Sequence, residues 1–198
     1  MSVVIVDAGG ANLGSVRVAL ERLGARPLVT ADPAAIAAAD RVILPGVGAA
    51  GTAMARLHAA GLVPVLRALR QPLLGICLGM QLLFEHSEEG DVAGLGLLRG
   101  RVRALRGGAG VRVPHIGWNR LRRRRDDPLL DGVDDGAQAY FVHGFAAPVD
   151  ADCVAACAHG DAFAAIVRRG NVAGMQFHPE RSSAVGARLL GNFLGAGR

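Results

Sequence analysis

The sequence predicts an α/β fold: one domain over residues 1–198, with a mixed central sheet that is parallel in its first half and extended by antiparallel strands in its second. Three observations carry this. Up to residue 77, short apolar runs alternate with stretches of helical spacing. Beyond that, short strand-like stretches are separated by hairpin-length turns. The chain is 51% apolar but 4% aromatic, so Val, Leu, Ile and Ala must fill the interior, as they do where helices cover a sheet.

The elements follow in order. VVIVD (3–7) is a strand, and GSVRVALERLG (14–24) a helix with Gly24 as its stop. RPLVT (26–30) is a second strand, and DPAAIAAA (32–39) a short helix opened by Asp32 and Pro33. RVILPGVG (41–48) is a third strand entering a Pro-Gly turn. TAMARLHAAGLVPVLRAL (52–69) reads as one helix, PLLGI (72–76) as a fourth strand, and a helix-like pattern continues after Cys77. In the second half, GLLRGRVRAL, VRVPHIGWN, AQAYFVHGF, CVAACA, AFAAIVRR and VAGMQF are strand-like, punctuated by GGAG, DDGA and RRGN turns. SSAVGARLLGNFL (182–194) closes as a helix.

Composition narrows the function classes. The formal charge is +5, yet all 22 basic residues are arginine, a chain-wide habit rather than a nucleic-acid patch. The dense run Arg120 with Arg122 to Arg125, followed by Asp126 and Asp127, reads as a solvated loop. Three cysteines without a C-x-x-C pair argue against a disulfide framework or a thiolate metal site, and no cofactor is implied. The apolar run near the start lacks a basic flank, and no stretch reaches ~18 uninterrupted apolar residues. The expectation is a cytoplasmic, reduced protein without a membrane span.

GICLG (75–79) places Cys77 at a strand end, immediately before a helix, with Gly75 and Gly79 framing it. This is the thiol version of the G-x-S-x-G nucleophile elbow, in which the residues two before and two after come close and must be small. The helix N-terminus favours thiolate, and the N–H of Leu78 is placed to donate to an oxyanion. His178 in GMQFHPERSS has Glu180 two residues on, and Pro179 biases it toward extended backbone. Side chains at i and i+2 of an extended stretch share a side, so Glu180 can orient the imidazole that serves Cys77. LPGVGAAGTAM (44–54) ends the third strand in Pro45, with Gly46 and Gly48 flanking Val47. These glycines bring N–H groups near a ligand, and Val47 or Gly48 is a candidate second oxyanion donor. Cys153 and Cys157, four apart in one strand, are expected on the same side, packing as small hydrophobes.

GICLGMQ together with FHPE resembles the class I (triad) glutamine amidotransferases. DAGGANLGSV, LPGVGA, VPHIGWN, YFVHGF and QFHPERS, in that order over nearly the whole chain, are similar to the glutaminase subunits of imidazole glycerol phosphate synthases of histidine biosynthesis. The resemblance implies a flavodoxin-like, three-layer domain that hydrolyses glutamine through a cysteinyl thioester. It implies Cys77 as nucleophile, His178 as acid and base, and Glu180 as its orienter. Leu78, Val47 and Gly48 would hold the oxyanion. Gly46, Gly48, Gln81, Gly144 and Phe145 would bind the substrate. It also implies a heterodimer with a (β/α)8-barrel synthase subunit that receives the ammonia, with Trp118, Asn119, Tyr140 and Arg181 at the interface.

Departures from the family pattern are Ala8-Gly9-Gly10-Ala11-Asn12 near the start, Ala50 for a phenylalanine, Gly144 for a serine or threonine, Phe145 for a tyrosine, and Arg181 for a lysine. Three other readings stand beside this one: a glutaminase serving another acceptor, as in anthranilate or pyridoxal 5′-phosphate synthesis, a partner-independent cysteine hydrolase, and a non-catalytic binding module.

Overall fold

Apolar runs too short for a helix become strands buried on both faces, and the alternating first half assembles from them. The computed structural model describes residues 1–9 and 12–195, so Gly10 and Ala11 of the DAGGANLGSV motif lie outside the described residues. The first half runs β1 (Val3–Val6), α1 (Leu13–Arg22), β2 (Pro27–Thr30), α2 (Pro33–Ala38), β3 (Arg41–Gly46), α3 (Ala50–Ala59), α4 (Leu62–Ala68), β4 (Leu73–Cys77) and α5 (Leu78–Gln81). The second half contributes β5 (Phe84–Ser87), β6 (Val92–Ala93), β7 (Leu98–Ala104), β8 (His115–Arg120), β9 (Arg122–Arg123), β10 (Gln138–His143), β11 (Phe145–Ala146), β12 (Cys153–His159), β13 (Asp161–Arg169), β14 (Val172–Met175) and α6 (Ser183–Leu194).

The central sheet has eight strands in the order β2-β1-β3-β4-β14-β13-β12-β9. Its first five are mutually parallel, and β13, β12 and β9 extend it antiparallel. One face packs α1 and α6 through Val16, Leu20, Leu189, Leu190 and Phe193. The other packs α2, α3 and α4 through Ile36, Met54, Leu57, Leu62 and Leu66. Each such fully buried side chain contributes about 1.5–3 kcal/mol relative to exposure. Two smaller sheets sit beside this frame: β8 with β10, and β11-β7-β5-β6. No helix among the described residues is long and apolar enough to cross a membrane.

Local signals account for several boundaries. Asp32 caps α2, its carboxylate accepting the N–H groups of Ala34 and Ala35 at 3.2 Å. Gly24 follows α1 at φ +82°, a left-handed stop. Elsewhere the structure corrects the expectations. The single helix expected over 52–69 is two, broken at Gly61, whose φ of +66° is left-handed. The helix after Cys77 is one turn long, and the chain re-enters a strand at Phe84. The arginine run is no loop at its start: Arg122 and Arg123 form edge strand β9 on β12. Its charges pair locally, Arg122 with Asp135 at 3.5 Å and Arg123 with Asp126 at 3.2 Å.

Cys153 and Cys157 do not share a side. The β12–β13 register shifts between Cys153 and Ala156. The irregularity has two shifts of opposite sense, one extra residue on β12 and then one on β13, so that Val154 and Ala155 fall on the same face and the alternation inverts. Cys153 therefore joins the α3–α4 face of the core, and Cys157 the α1–α6 face. Both thiols are buried, as expected of small hydrophobes.

The turn from β4 into α5 rests on glycine. A Cβ on Gly75 would stand 2.6 Å from the Gly79 carbonyl oxygen, and one on Gly79 would overlap the Leu44 carbonyl of β3. Backbone cannot yield there as a side-chain tip can. Gly79→Ala is therefore expected to destabilise the protein by about 3 kcal/mol, the upper end of overpacking costs. Gly51→Ala, with no atom near its Cβ, is expected to be neutral. Urea unfolding of both variants checks the contrast.

Candidate functional site

Three parallel neighbours, β3, β4 and β14, end at the same edge of the sheet, where α/β folds bind ligands. Gly46 closes β3 opposite Cys77 at the end of β4, and His178 follows three residues after Met175 at the end of β14. The sheet thus gathers sequence motifs more than a hundred residues apart.

Cys77 has φ +54° and ψ −113°, a conformation that side-chain-bearing residues rarely adopt. Such strain, of order 1–3 kcal/mol, persists only where packing over-determines it. Here Gly75, Gly79 and Gly46 allow that packing, because α5 sits backbone-to-backbone on β3 and β4. Sγ contacts the carbonyl of Val142 on β10 at 3.8 Å, a long and weak contact. The Leu78 N–H opens α5 directly after the thiol.

His178 is itself extended, but Pro179–Arg181 forms a 3-10 turn, so Glu180 reaches the ring by a turn rather than by strand alternation. The pair is close: His178 Nδ1 lies 2.8 Å from Glu180 Oε1. Asn12 donates to that same oxygen from Nδ2 at 2.6 Å, and the Glu180 side chain is fully buried. Burial alone would lower the imidazole pKa. The hydrogen bonds to Cys77 and Glu180, with their negative charges, outweigh it and hold His178 at about 10, above its ordinary 6.5. An imidazole beside a thiol and backed by a buried carboxylate is the arrangement of a base, its orienter and a nucleophile.

These groups open onto a cavity of about 180 Å³. Val47, Gly48, Cys77, Leu78, Gln81, Gly144, Phe145 and His178 all line it, so most of the residues singled out from sequence meet there. Its size is below the ~300–1,000 Å³ of drug-sized sites and suits a small metabolite. Gly46 stands back from it, packed against Leu78 and Gly79. Gln81 donates both amide hydrogens, to Phe145 O at 2.8 Å and to Gln176 Oε1 at 3.0 Å. Its acceptor oxygen is thereby left for another partner.

Glu89, which no sequence signal had separated from its acidic neighbours, also lines the cavity. Its Oε2 accepts the Ala50 N–H at 2.8 Å, beside the Pro45–Gly48 turn. Asn12 was likewise unassigned. Its motif position was legible, but its partner across the chain was not. Among the described residues, no group of three His, Cys, Asp or Glu could hold a metal ion.

Trp118 and Tyr140 are opposite one another across β8 and β10, with ring centroids 5.9 Å apart. With exposed Ile116 and Val142 they make an apolar outer face, on which Trp118 is 51% exposed. Asn119 points to the other side and donates to the Ala158 carbonyl. Arg181 is exposed. Strand β10 links this face to the site: Tyr140 O accepts the His178 N–H at 2.9 Å, and Val142 O is the carbonyl at Cys77.

Comparison with known proteins follows the same lines. The family described as glutamine amidotransferase class-I matches residues 4–195. The chain is 64% identical over 192 residues to "Imidazole glycerol phosphate synthase subunit HisH" of Xanthomonas oryzae pv. oryzae, covering 97% of this chain and 96% of that one. It is 60% identical to the protein of the same description from Xylella fastidiosa, with the same coverage. Two solved structures share the fold. One described as glutamine amidotransferase has TM-score 0.75 at 22% identity, covering 97% of both chains. PurLQS from Thermotoga maritima has TM-score 0.73 at 20% identity, covering 100% of this chain and 99% of that one.

The raised His178 pKa fixes a sign for stability. Its imidazolium contribution is fully present below the unfolded value of 6.5 and is lost as pH rises through about 10. The stability gap between wild type and His178→Asn in urea unfolding is expected to shrink steadily from pH 7 to 10. A gap constant over that range would mean a neutral ring in the folded protein.

Proposed function

The chain belongs to the class I glutamine amidotransferase family, among the HisH subunits of imidazole glycerol phosphate synthase, and on that premise we propose that it hydrolyses L-glutamine to glutamate and ammonia for a synthase partner. The observation that carries this reading is the convergence of Cys77 and His178 on one small cavity at the carboxyl edge of the sheet, with the buried Glu180 carboxylate on the imidazole behind it.

Cys77 and His178 act as a thiolate–imidazolium pair. The thiolate attacks the carboxamide carbon, and the developing oxyanion takes hydrogen bonds from the Leu78 N–H and from a group in Val47–Gly48. His178 gives its proton to the leaving nitrogen, so ammonia departs and a thioester remains. The now neutral His178 takes a proton from water, whose oxygen attacks the thioester. Collapse expels the Cys77 thiolate with glutamate and restores the pair. Glu180, held by Asn12, fixes the ring through Nδ1 and stabilises its charge.

Substrate ends are matched by polarity. Glu89 and the free oxygen of Gln81 suit an α-ammonium group, while backbone of Gly144 and Phe145 lines the pocket for the amino-acid end. The change from a serine or threonine to Gly144 and from a tyrosine to Phe145 leaves the backbone there in place, with the Phe145 carbonyl held by Gln81 and His143.

The apolar face of Ile116, Trp118, Tyr140 and Val142 is the docking surface for a (β/α)8-barrel synthase subunit in a heterodimer, and the exposed Arg181 is assigned to the same interface. Ammonia is mostly protonated and unreactive in bulk water, so a partner seated over the site receives it without mixing with solvent. The setting is cytoplasmic, with the whole chain acting as one domain.

Glutamate release from L-glutamine, measured with the barrel subunit and its nucleotide substrate, tests the reading. Cys77→Ala is expected to lose at least ~10³-fold in rate, as removal of a nucleophile does. A glutamine-site alkylating analogue should label Cys77 alone. Burial pushes the Cys153 and Cys157 thiols up to about 11, which keeps them protonated and inert. Full turnover in Cys77→Ala, or an adduct on Cys153 or Cys157, would overturn the assignment.

A further inference from the structure

In the wall of the catalytic cavity, and extending away from it, lies a pair of buried histidines that the reaction above does not use. His115 on β8 is 4% exposed and His143 on β10 is 6% exposed. They face each other directly in the strand pairing, with His115 Nδ1 3.0 Å from His143 Nε2. Each outer nitrogen has one further partner. His143 Nδ1 lies 2.8 Å from the Phe145 carbonyl, and His115 Nε2 lies 3.2 Å from Asn119 Nδ2.

Those partners leave one proton arrangement. A carbonyl oxygen only accepts, so His143 carries its hydrogen on Nδ1 and its Nε2 is an acceptor. His115 must then donate from Nδ1, which makes its Nε2 an acceptor for the Asn119 amide. All four ring nitrogens are satisfied with both rings neutral. Protonating either ring would add a donor where only a donor waits. Burial, with the charges of neighbouring histidines, accordingly lowers both to about 4, and for His143 it outweighs the raising effect of the Phe145 hydrogen bond.

The chain ends on an atom that matters to the substrate pocket. Phe145 O accepts from His143 and also from Gln81, each at 2.8 Å. Gln81, which lines the cavity, has both its amide hydrogens committed there and to Gln176, and this leaves its acceptor oxygen for another partner. Orientation thus passes from Asn119 through His115, His143 and Phe145 to Gln81. Phe141 and His159 stack on His115 at 4.9 and 4.1 Å, which fixes the plane of its ring.

We propose that His115 and His143 are positioning residues for glutamine binding, a directional chain of neutral imidazoles that holds the Phe145 carbonyl and, through it, Gln81. The proposal rests on the glutaminase reading, and its tests separate the two. Long-range ¹H–¹⁵N correlation spectra of the full chain at pH 7 are expected to show both rings neutral with the hydrogen on Nδ1. A hydrogen on Nε2 of either ring would overturn the chain, whatever the enzyme does.

Kinetics with the barrel subunit supply the functional arm. His115→Phe keeps a stacking ring but removes the donor to His143. It is expected to raise KM for L-glutamine about tenfold, the equivalent of one buried hydrogen bond, with kcat within about threefold. His115→Asn, whose amide nitrogen occupies the place of Nδ1, should return KM to within about threefold of wild type. A KM unchanged in His115→Phe, or an Asn variant no better than Phe, would refute the role, since packing alone would favour Phe. Wild type inactive on glutamine would instead sink the glutaminase reading and leave the tautomers as they are. Should His115→Phe fail to fold, the spectra of the wild type still decide.

Discussion

The structure depends on one constraint, the contact of bare backbone against bare backbone where α5 meets β3 and β4. No side chain fits between Gly75 and Gly79, nor between Gly79 and the Leu44 carbonyl. Because the chain closes to that distance, β4 can reverse direction within a residue and carry Cys77 in a strained conformation. Strain at one residue is sustained by the core on both sides of the sheet, which holds the ends of β3 and β4 in register. Cys77 is thus placed by packing well away from the cavity it lines.

The second dependency is on β10. It belongs to a separate two-stranded sheet, yet its carbonyls touch both Cys77 and His178. Its outward side chains form the apolar face, and its inward side chain at His143 opens onto the cavity. One strand therefore has three duties, set by the period-two alternation of side chains and by backbone groups that lie between them. A displacement felt at Trp118 or Tyr140 reaches Cys77 and His178 without crossing the main core.

Legibility in the sequence followed the range of the signal. The parallel strands were readable because burial on both faces leaves short apolar runs, and the elbow because its glycines are local. His178 and Glu180 were readable as a pair because they are two residues apart, although the turn that joins them is 3-10 rather than extended. Contacts made only by folding were not. Asn12 meets Glu180 across 168 residues, and Glu89 is one of four acidic residues between 85 and 91, marked only by where its hairpin docks. The break at Gly61 was hidden by apolar spacing that continues through it. The bulge in β12 was hidden because its residues are all small and apolar, and nothing in CVAACA says which one goes unpaired.

That bulge bears on how the enzyme meets oxidants. Four residues along a strand separate Cys153 from Cys157 by about 13 Å, and the bulge sends them to opposite sides, whereas a disulfide needs Cα atoms roughly 4.4–6.8 Å apart. Between Cys157 on β12 and Cys77 on β4 lie β13 and β14, a separation of about 14 Å at ~4.8 Å per strand. A sulfenic acid formed on Cys77 therefore meets no resolving thiol from its own chain. Peroxide damage at Cys77 can be reversed only by a thiol arriving from solution through the cavity it lines, so any molecule seated in that cavity shields the sulfur from oxidant and from repair alike.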